Sequence, residues 1–144
     1  CAVTAVNQDH LEELVVALQA TRVGWMTFSF YVPRHGERGG NAWPDNHARL
    51  TAVREVERLK QAYPRFVRNH ARSLALMAPG EAERVTADCL ARRHVLPLYL
   101  EGDHFVTPFC CYGNDVDCER CGAWVVFHLA ARRGELETAD LQPV

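Results

Sequence analysis

The cysteines of this chain are concentrated in one short stretch near its carboxyl end. Four of the six fall within twelve residues, and a fifth lies upstream; these are Cys110, Cys111, Cys118, Cys121 and Cys89. Thiolates this close repel one another unless a cation or a covalent bond neutralises them, so the stretch indicates an iron–sulfur cluster, a structural zinc or disulfides. Two residues between Cys118 and Cys121 let both sulfurs face one centre, which favours a metal. We expect the next residue, Gly122, to take a positive φ that turns N–H groups toward them.

A third and a fourth thiol complete the candidate ligand set. A hairpin between residues 94 and 109 would return the chain to its start and place Cys110 near Cys89. Four thiolates is the number that zinc or a [4Fe–4S] cluster requires, and the expected set is Cys89, Cys110, Cys118 and Cys121. Cys111 competes with Cys110, because adjacent residues of an extended chain point in opposite directions. Cys1 is distant in sequence and is expected to be a buried strand residue.

Length, composition and charge limit the classes of protein to which this chain can belong. With 144 residues and 48% hydrophobic content, the chain can form one domain, or one domain with a small appendage. A net charge of −2 gives no footprint for nucleic acid or an anionic membrane. No apolar run has transmembrane length and no signal peptide opens the sequence. The chain opens at Cys1 in what resembles the middle of a strand, so we expect a preceding part. Clustered cysteines favour a reducing, cytoplasmic compartment.

The first third of the chain predicts a βαβ unit. Residues 1–6 are small and β-branched, as in a strand buried on both faces. Residues 11–18 carry apolar side chains at helical spacing, and Asn7 or Asp9 is placed to cap that helix. Residues 25–32 predict a second strand, parallel to the first and joined to it by a right-handed crossover.

The middle of the chain predicts a loop and a long helix. Residues 34–45 have no periodicity and follow a strand end, where Arg34, His35 and Arg38 could meet an anion or simply be solvated. Residues 46–63 predict an amphipathic helix that ends before Pro64. Its core-facing residues are expected to be Leu50, Val53, Val56, Leu59 and Tyr63. Its charged residues, Arg49 among them, are expected to face solvent.

The last part of the chain alternates short helices with the predicted hairpin. Residues 69–77 and 81–92 predict helices on either side of a boundary at 79–80, and the second brings Cys89 into its last turn. Residues 94–100 and 104–109 flank Glu101-Gly102-Asp103, a turn signal between two strands. Residues 124–133 predict an apolar helix over the cysteines, and 134–144 a frayed tail.

The sequence contains few motifs for other kinds of chemistry. No phosphate-binding loop, Gly-x-Ser-x-Gly or Gly-x-Gly-x-x-Gly occurs, and the histidines show no metal-ligand spacing. His104 and His128 lie nearest the cysteines in sequence. Asp115 and Asp117 are expected to form turns rather than an acid/base pair. Thiol–disulfide exchange through Cys110-Cys111 or Cys118-x2-Cys121 is also open, although Cys-x2-Cys redox motifs usually sit at a helix N-terminus after a strand.

Two stretches together resemble the radical S-adenosylmethionine (radical SAM) enzymes. Residues 3–7 (Val-Thr-Ala-Val-Asn) and 11–14 (Leu-Glu-Glu-Leu) resemble a late β/α unit of their TIM-type barrel, and 25–33 fit the next barrel strand. The second stretch resembles the twitch or SPASM-like auxiliary-cluster extension, where a Cys precedes a hairpin and a P-C strand leads to D-C-x-x-C-G. The matching residues are Cys89, Leu96, Pro97, Leu98, Gly102, Pro108, Cys110, Gly113, Cys118, Cys121 and Gly122.

The resemblance implies the carboxyl-terminal half of such an enzyme. The family's C-x3-C-x2-C and Gly-Gly-Glu segments are absent, so the chain alone could not cleave S-adenosylmethionine. The implied partners are an amino-terminal barrel half with the catalytic cluster and a small-molecule or peptide substrate. Asn7 and Ser29 would then face the cofactor. Phe109 separates Pro108 from Cys110, so either Cys110 or Cys111 matches the family ligand.

These observations together predict an α/β protein with three parts. Residues 1–78 would form part of a (β/α) barrel, 79–132 a small α+β cysteine-rich domain with a β-hairpin, and 133–144 a flexible tail. The expected function is to bind an auxiliary [4Fe–4S] cluster that contacts substrate or relays an electron. The alternative is a non-catalytic zinc module in which the same thiolates staple a small domain.

Overall fold

The computed structural model describes residues 1–96, 98–106 and 115–133, and within these the chain is mainly helical. The helices are α1 (Leu11–Gln19), α2 (Asn46–Ala62), α3 (Ala71–Ala75), α4 (Glu81–Ala87), α5 (Ala91–His94) and α6 (Trp124–Ala131). Single 3₁₀ turns span Gln8–His10 and Cys118–Arg120. Strand β1 (Ala2–Val3) pairs in parallel with β2 (Ser29–Phe30), and β3 (Tyr99–Glu101) pairs antiparallel with β4 (His104–Val106).

The predicted partial barrel is wrong. In the described ranges, parallel pairing is limited to β1 with β2, each two residues long, and to one isolated bridge between Met26 and Val67. The parallel pairing expected of a βαβ unit is present, but it does not continue into further strands. The apolar runs at 1–6 and 25–32 misled the prediction because strand propensity reports a surface that packs well, not the number of neighbouring strands. Val6 and Trp25, in those runs, are largely exposed.

The segment around β2 is instead held by several short partners. The Met26 N–H donates to the Phe66 carbonyl, and the Arg68 N–H donates to the Met26 carbonyl. Two residues further on, the buried Asn69 side chain accepts from the Phe28 N–H at 2.8 Å and donates to the Phe28 carbonyl at 2.9 Å. A side-chain amide thus takes the place of a neighbouring strand and satisfies backbone groups that are shut off from water.

The predicted β-hairpin is confirmed, although its strands are shorter than expected. β3 and β4 flank a turn in which Gly102 has a φ of 63°, a conformation that glycine adopts without strain. His94 belongs to α5 rather than to the first strand. Leu100 and Phe105 lie opposite each other across the ladder, and both are largely exposed.

Helix boundaries were predicted less well than helix existence. α2 ends at Ala62, before Pro64, as predicted, whereas α1 begins with no side-chain cap from Asn7 or Asp9. The helix predicted at 81–92 is divided into α4 and α5. Cys89 lies between these helices rather than in a last helical turn.

One hydrophobic core includes residues from both sides of the predicted boundary at 79–80. Val53 of α2 and Leu74 of α3 belong to the same buried cluster as Ala82 of α4 and Phe127 of α6. Helix α6 packs against both α3 and α4. The predicted tail at 134–144 lies outside the described residues, and the division into domains stays a prediction.

Candidate metal centre

Helix α4 and the segment that carries Cys118 and Cys121 lie side by side. α4 packs against the 3₁₀ turn Cys118–Arg120, and Cys89 follows the last residue of α4 by two positions. Asn46, the first residue of α2, ties the two segments together. Its side-chain nitrogen donates to Glu83 Oε1 at 2.6 Å and to the Glu119 carbonyl at 2.9 Å.

The knuckle, residues 118–122, is a compact turn. Asp117 caps it by accepting from the Arg120 N–H, and the Cys121 N–H donates to the Cys118 carbonyl at 3.1 Å. The second thiol accepts from the Ala123 N–H. Cys118 is exposed, whereas Cys121 is 5% exposed and belongs to the core. The knuckle therefore has one thiol at the surface and one in the interior.

Gly122 is required for a reason that the sequence did not reveal. It does not have the positive φ expected of it. Its carbonyl lies against β2, where it accepts from the Phe30 N–H at 2.8 Å. A Cβ at this position would stand 2.5 Å from the Phe30 Cβ and 2.8 Å from the Phe30 backbone. Only glycine lets the knuckle approach β2 this closely.

The Cys89 and Cys118 thiols lie near enough to Cys121 to affect its titration. The pKa of the Cys121 thiol is raised from 9.0 to about 11, chiefly by burial and to a smaller extent by the nearby Cys89 and Cys118. The Ala123 N–H and the Arg49 guanidinium act in the opposite direction, because both favour a negative sulfur. Cys121 is therefore a protonated thiol at neutral pH. A metal that binds there has to displace its proton, so its affinity has to rise with pH.

Arg49 donates hydrogen bonds to the knuckle. Its buried position corrects the prediction that it faces solvent. Its side chain is 1% exposed, and Nη1 donates to the carbonyls of Arg120 at 2.9 Å and of Cys121 at 2.8 Å. Burial lowers the pKa of Arg49 to about 10, which still leaves the guanidinium charged at neutral pH. The signal was available in the sequence, since Arg49 precedes the buried Val53 by four residues and Val56 by seven.

A second buried guanidinium, that of Arg120, lies within the knuckle itself. Its Nε donates to Asp117 Oδ2 at 2.8 Å, and its Nη1 donates to the Trp43 carbonyl at 2.8 Å. The Arg120 guanidinium lowers the pKa of Asp117, while burial of that carboxyl acts against it. These bonds fasten the knuckle to the residues that precede α2. The role expected for Asp117, turn formation, agrees with this geometry.

The three thiols of Cys89, Cys118 and Cys121 are not arranged as a metal-binding group in the structure. Among residues 1–96, 98–106 and 115–133, no three His, Cys, Asp or Glu side chains form a group that could hold a metal ion. Cys110 and Cys111, the candidates for the fourth ligand, lie outside the described residues. Cys1 is exposed rather than buried, which corrects the expectation for it, and lies far from the knuckle in sequence.

The two residues expected to face a cofactor make structural hydrogen bonds. Asn7 accepts from the Thr4 N–H at 2.8 Å and donates to the Ala2 carbonyl at 3.0 Å. Ser29 Oγ accepts from the Trp124 N–H at 3.0 Å and so joins β2 to the start of α6. Their assignment as cofactor ligands stays a prediction.

Comparison with known proteins places no family name on this arrangement. No family model, no curated protein and no solved structure matches the chain. Over the described part of the chain, no helix is both long and apolar enough to cross a lipid bilayer. The candidate centre therefore has to be argued from its own chemistry.

Proposed function

We propose that this chain binds an auxiliary [4Fe–4S] cluster through Cys89, Cys118, Cys121 and one of Cys110 and Cys111. The observation that carries the proposal is that Cys89 lies near enough to Cys121 to interact with it electrostatically, although about thirty residues of chain separate Cys89 from the knuckle. Soft thiolate sulfur suits iron–sulfur clusters and zinc, not the hard cations. The choice of iron over zinc rests on the resemblance of the cysteine spacing to radical SAM auxiliary domains.

The surroundings of the knuckle support a negatively charged centre. Four thiolates with a cluster of charge +2 leave a net charge of −2, which is costly to bury without a cation. The Arg49 guanidinium lies close enough to favour a thiolate at Cys121, and its side chain is buried. In this proposal Arg49 positions the ligand loop through two carbonyl bonds and offsets part of the cluster's charge.

The wider role follows from the same resemblance. We place the chain in the cytoplasm, working with a separate part that carries the catalytic cluster and S-adenosylmethionine, on a small-molecule or peptide substrate. Cys118 is exposed, so one face of the cluster would be open to a substrate or an electron donor. The barrel geometry is not part of the proposal. What remains is the cysteine centre, whose chemistry can be tested alone.

The test is to purify the full chain without oxygen and measure iron, acid-labile sulfide and zinc. We expect iron and sulfide in about a 1:1 ratio, near four of each per chain, with the brown colour of a cluster. If the reduced protein assembles no cluster when supplied with iron and sulfide, and binds one zinc tightly, the iron–sulfur proposal fails and the zinc module replaces it.

Single substitutions test the ligands. Cys118→Ala and Cys121→Ala should each abolish cluster assembly, whereas Cys1→Ala should retain a full complement of iron. The exposed thiol of Cys1 makes this a matched control for loss of one cysteine. Full iron content in either knuckle variant would contradict the assignment.

A further inference from the structure

An open groove is lined by residues of α3, α4 and α6 and of the turns that follow them. Its empty volume is about 720 Å³, the part open to solvent included. The apolar lining consists of Leu76, Val85 and Ala130. These three side chains are half-buried, although Leu76 and Val85 pack against the hydrophobic core. The groove therefore leaves apolar surface in contact with solvent, and covering that surface is favourable.

The charged part of the lining is mainly basic. Three guanidinium groups contribute to it, those of Arg72, Arg84 and Arg133. Asp88 supplies a carboxylate, which pairs with Arg133 at 2.6 Å, and Arg84 pairs with Glu81 of its own helix. Within the described ranges, the exposed Arg72 side chain has neither a hydrogen-bond partner nor an ion-pair partner. The groove thus keeps a positive charge in a chain whose net charge is −2.

The residues that follow Arg133 have the complementary composition. Residues 134–141 are Gly-Glu-Leu-Glu-Thr-Ala-Asp-Leu, with three carboxylates, two leucines and no Lys or Arg. They lie outside the described residues. Arg133 itself lines the groove, and four residues of chain span at most about 14 Å, so Glu135, Leu136 and Glu137 cannot lie far from it. A segment tethered in this way has a high effective concentration at the groove.

We propose that residues 135–141 dock in the groove of their own chain. Leu136 covers the apolar lining, and Glu135 and Glu137 pair with guanidinium groups, that of Arg72 among them. Opposite charges and an apolar contact are both satisfied by one short segment, which neither a purely apolar nor a purely acidic segment would achieve.

The docked segment lies beside the candidate metal centre without depending on it. Asp88 lines the groove and directly precedes Cys89 in the sequence. Docking therefore restrains the chain next to this candidate ligand, whether or not a metal is bound. Two other occupants would fit the same chemistry: the same residues of a second copy, or an acidic, leucine-containing segment of another protein.

The experiment is methyl NMR of the full, reduced and metal-free chain at low ionic strength. We expect nuclear Overhauser contacts from the Leu136 methyl groups to those of Val85 and Ala130. An equal mixture of differently labelled chains separates docking within one chain from exchange between two copies. Contacts seen only between copies overturn the proposal in favour of a dimer. Their complete absence from the purified chain overturns it as well, and leaves the groove to another protein.

Charge reversal tests the electrostatic part of the docking. Arg72→Glu turns an attraction into a repulsion, so the Leu136 contacts should lose about half of their intensity or more. Arg54→Glu, at an exposed position of α2 outside the groove, is the matched control and should leave them unchanged. Undiminished contacts in Arg72→Glu contradict the proposal.

A second variant changes only the segment and leaves the groove intact. Leu136→Gln removes the apolar contact, and we expect it to shift the methyl signals of Val85 and Ala130 away from their wild-type positions. Unshifted signals in this variant would also contradict docking of Leu136 in the groove.

Discussion

Cys121 is the residue whose titration reports most directly on the knuckle. Its pKa in the folded, metal-free protein is about 11, against an ordinary 9.0. Below pH 9 the thiol is protonated in both folded and unfolded states, so its contribution to stability is fully present. Between pH 9 and 11 the unfolded chain loses the proton first, and stability falls by at most ~3 kcal/mol.

The stabilising effect of the Cys121 side chain should therefore decrease as pH rises. Urea unfolding of the reduced, metal-free wild type and of Cys121→Ala should show a difference in unfolding free energy that shrinks as pH rises from 8.5 to 10.5. Other groups that titrate in this range, including tyrosines, are common to both proteins and cancel. A difference that stays constant or grows with pH would show that Cys121 is not buried as a neutral thiol.

Gly122 tests the close approach of the knuckle to β2. Gly122→Ala places a methyl group against Phe30, so we expect a loss of about 1–3 kcal/mol in unfolding free energy and weaker metal binding. Gly39→Ala is the control, because nothing lies within 4 Å of a Cβ built there. If the two alanine variants prove equally stable in chemical denaturation, the knuckle does not rest on β2 as described.

At the scale of elements, the Asn69 side chain makes hydrogen bonds that a neighbouring strand would otherwise make. Asn69→Ala leaves the N–H and carbonyl of the buried Phe28 without partners, and we expect the unfolding free energy to drop by about 2–4 kcal/mol. Arg68→Ala, one residue earlier and exposed, should change it by less than about 0.5 kcal/mol. Thermal unfolding of both variants beside the wild type measures this. Similar midpoints would mean that water replaces the amide.

Elements with a complete local signal were the ones that the sequence predicted correctly. The turn residues Glu101-Gly102-Asp103 predict the hairpin, and Pro64 predicts the end of α2. The buried faces were harder to predict, because a charged residue on an apolar stripe looks like an error in the pattern. Arg49 is such a case: its burial depends on two carbonyls contributed more than seventy residues later in the chain.

At the scale of the whole molecule, the barrel was wrong for a reason that no local pattern contains. A strand exists only where another segment completes its hydrogen bonds, and β2 finds its partners in β1, in Gly122 and in the Asn69 side chain beyond it. The turn at Cys118-x2-Cys121 was more predictable, because residues this close in sequence form it, whereas the cysteine centre itself stays a prediction. The ligand at 110 or 111 stays a prediction.

Native mass spectrometry of the anaerobically reconstituted chain tests the central claim most directly. We predict one mass increment of four irons and four sulfides, lost in Cys121→Ala. Between the adjacent cysteines, we expect Cys110→Ala to lose the increment and Cys111→Ala to keep it. A wild-type chain that carries a single zinc, or no increment at all after reduction and reconstitution, would contradict the account.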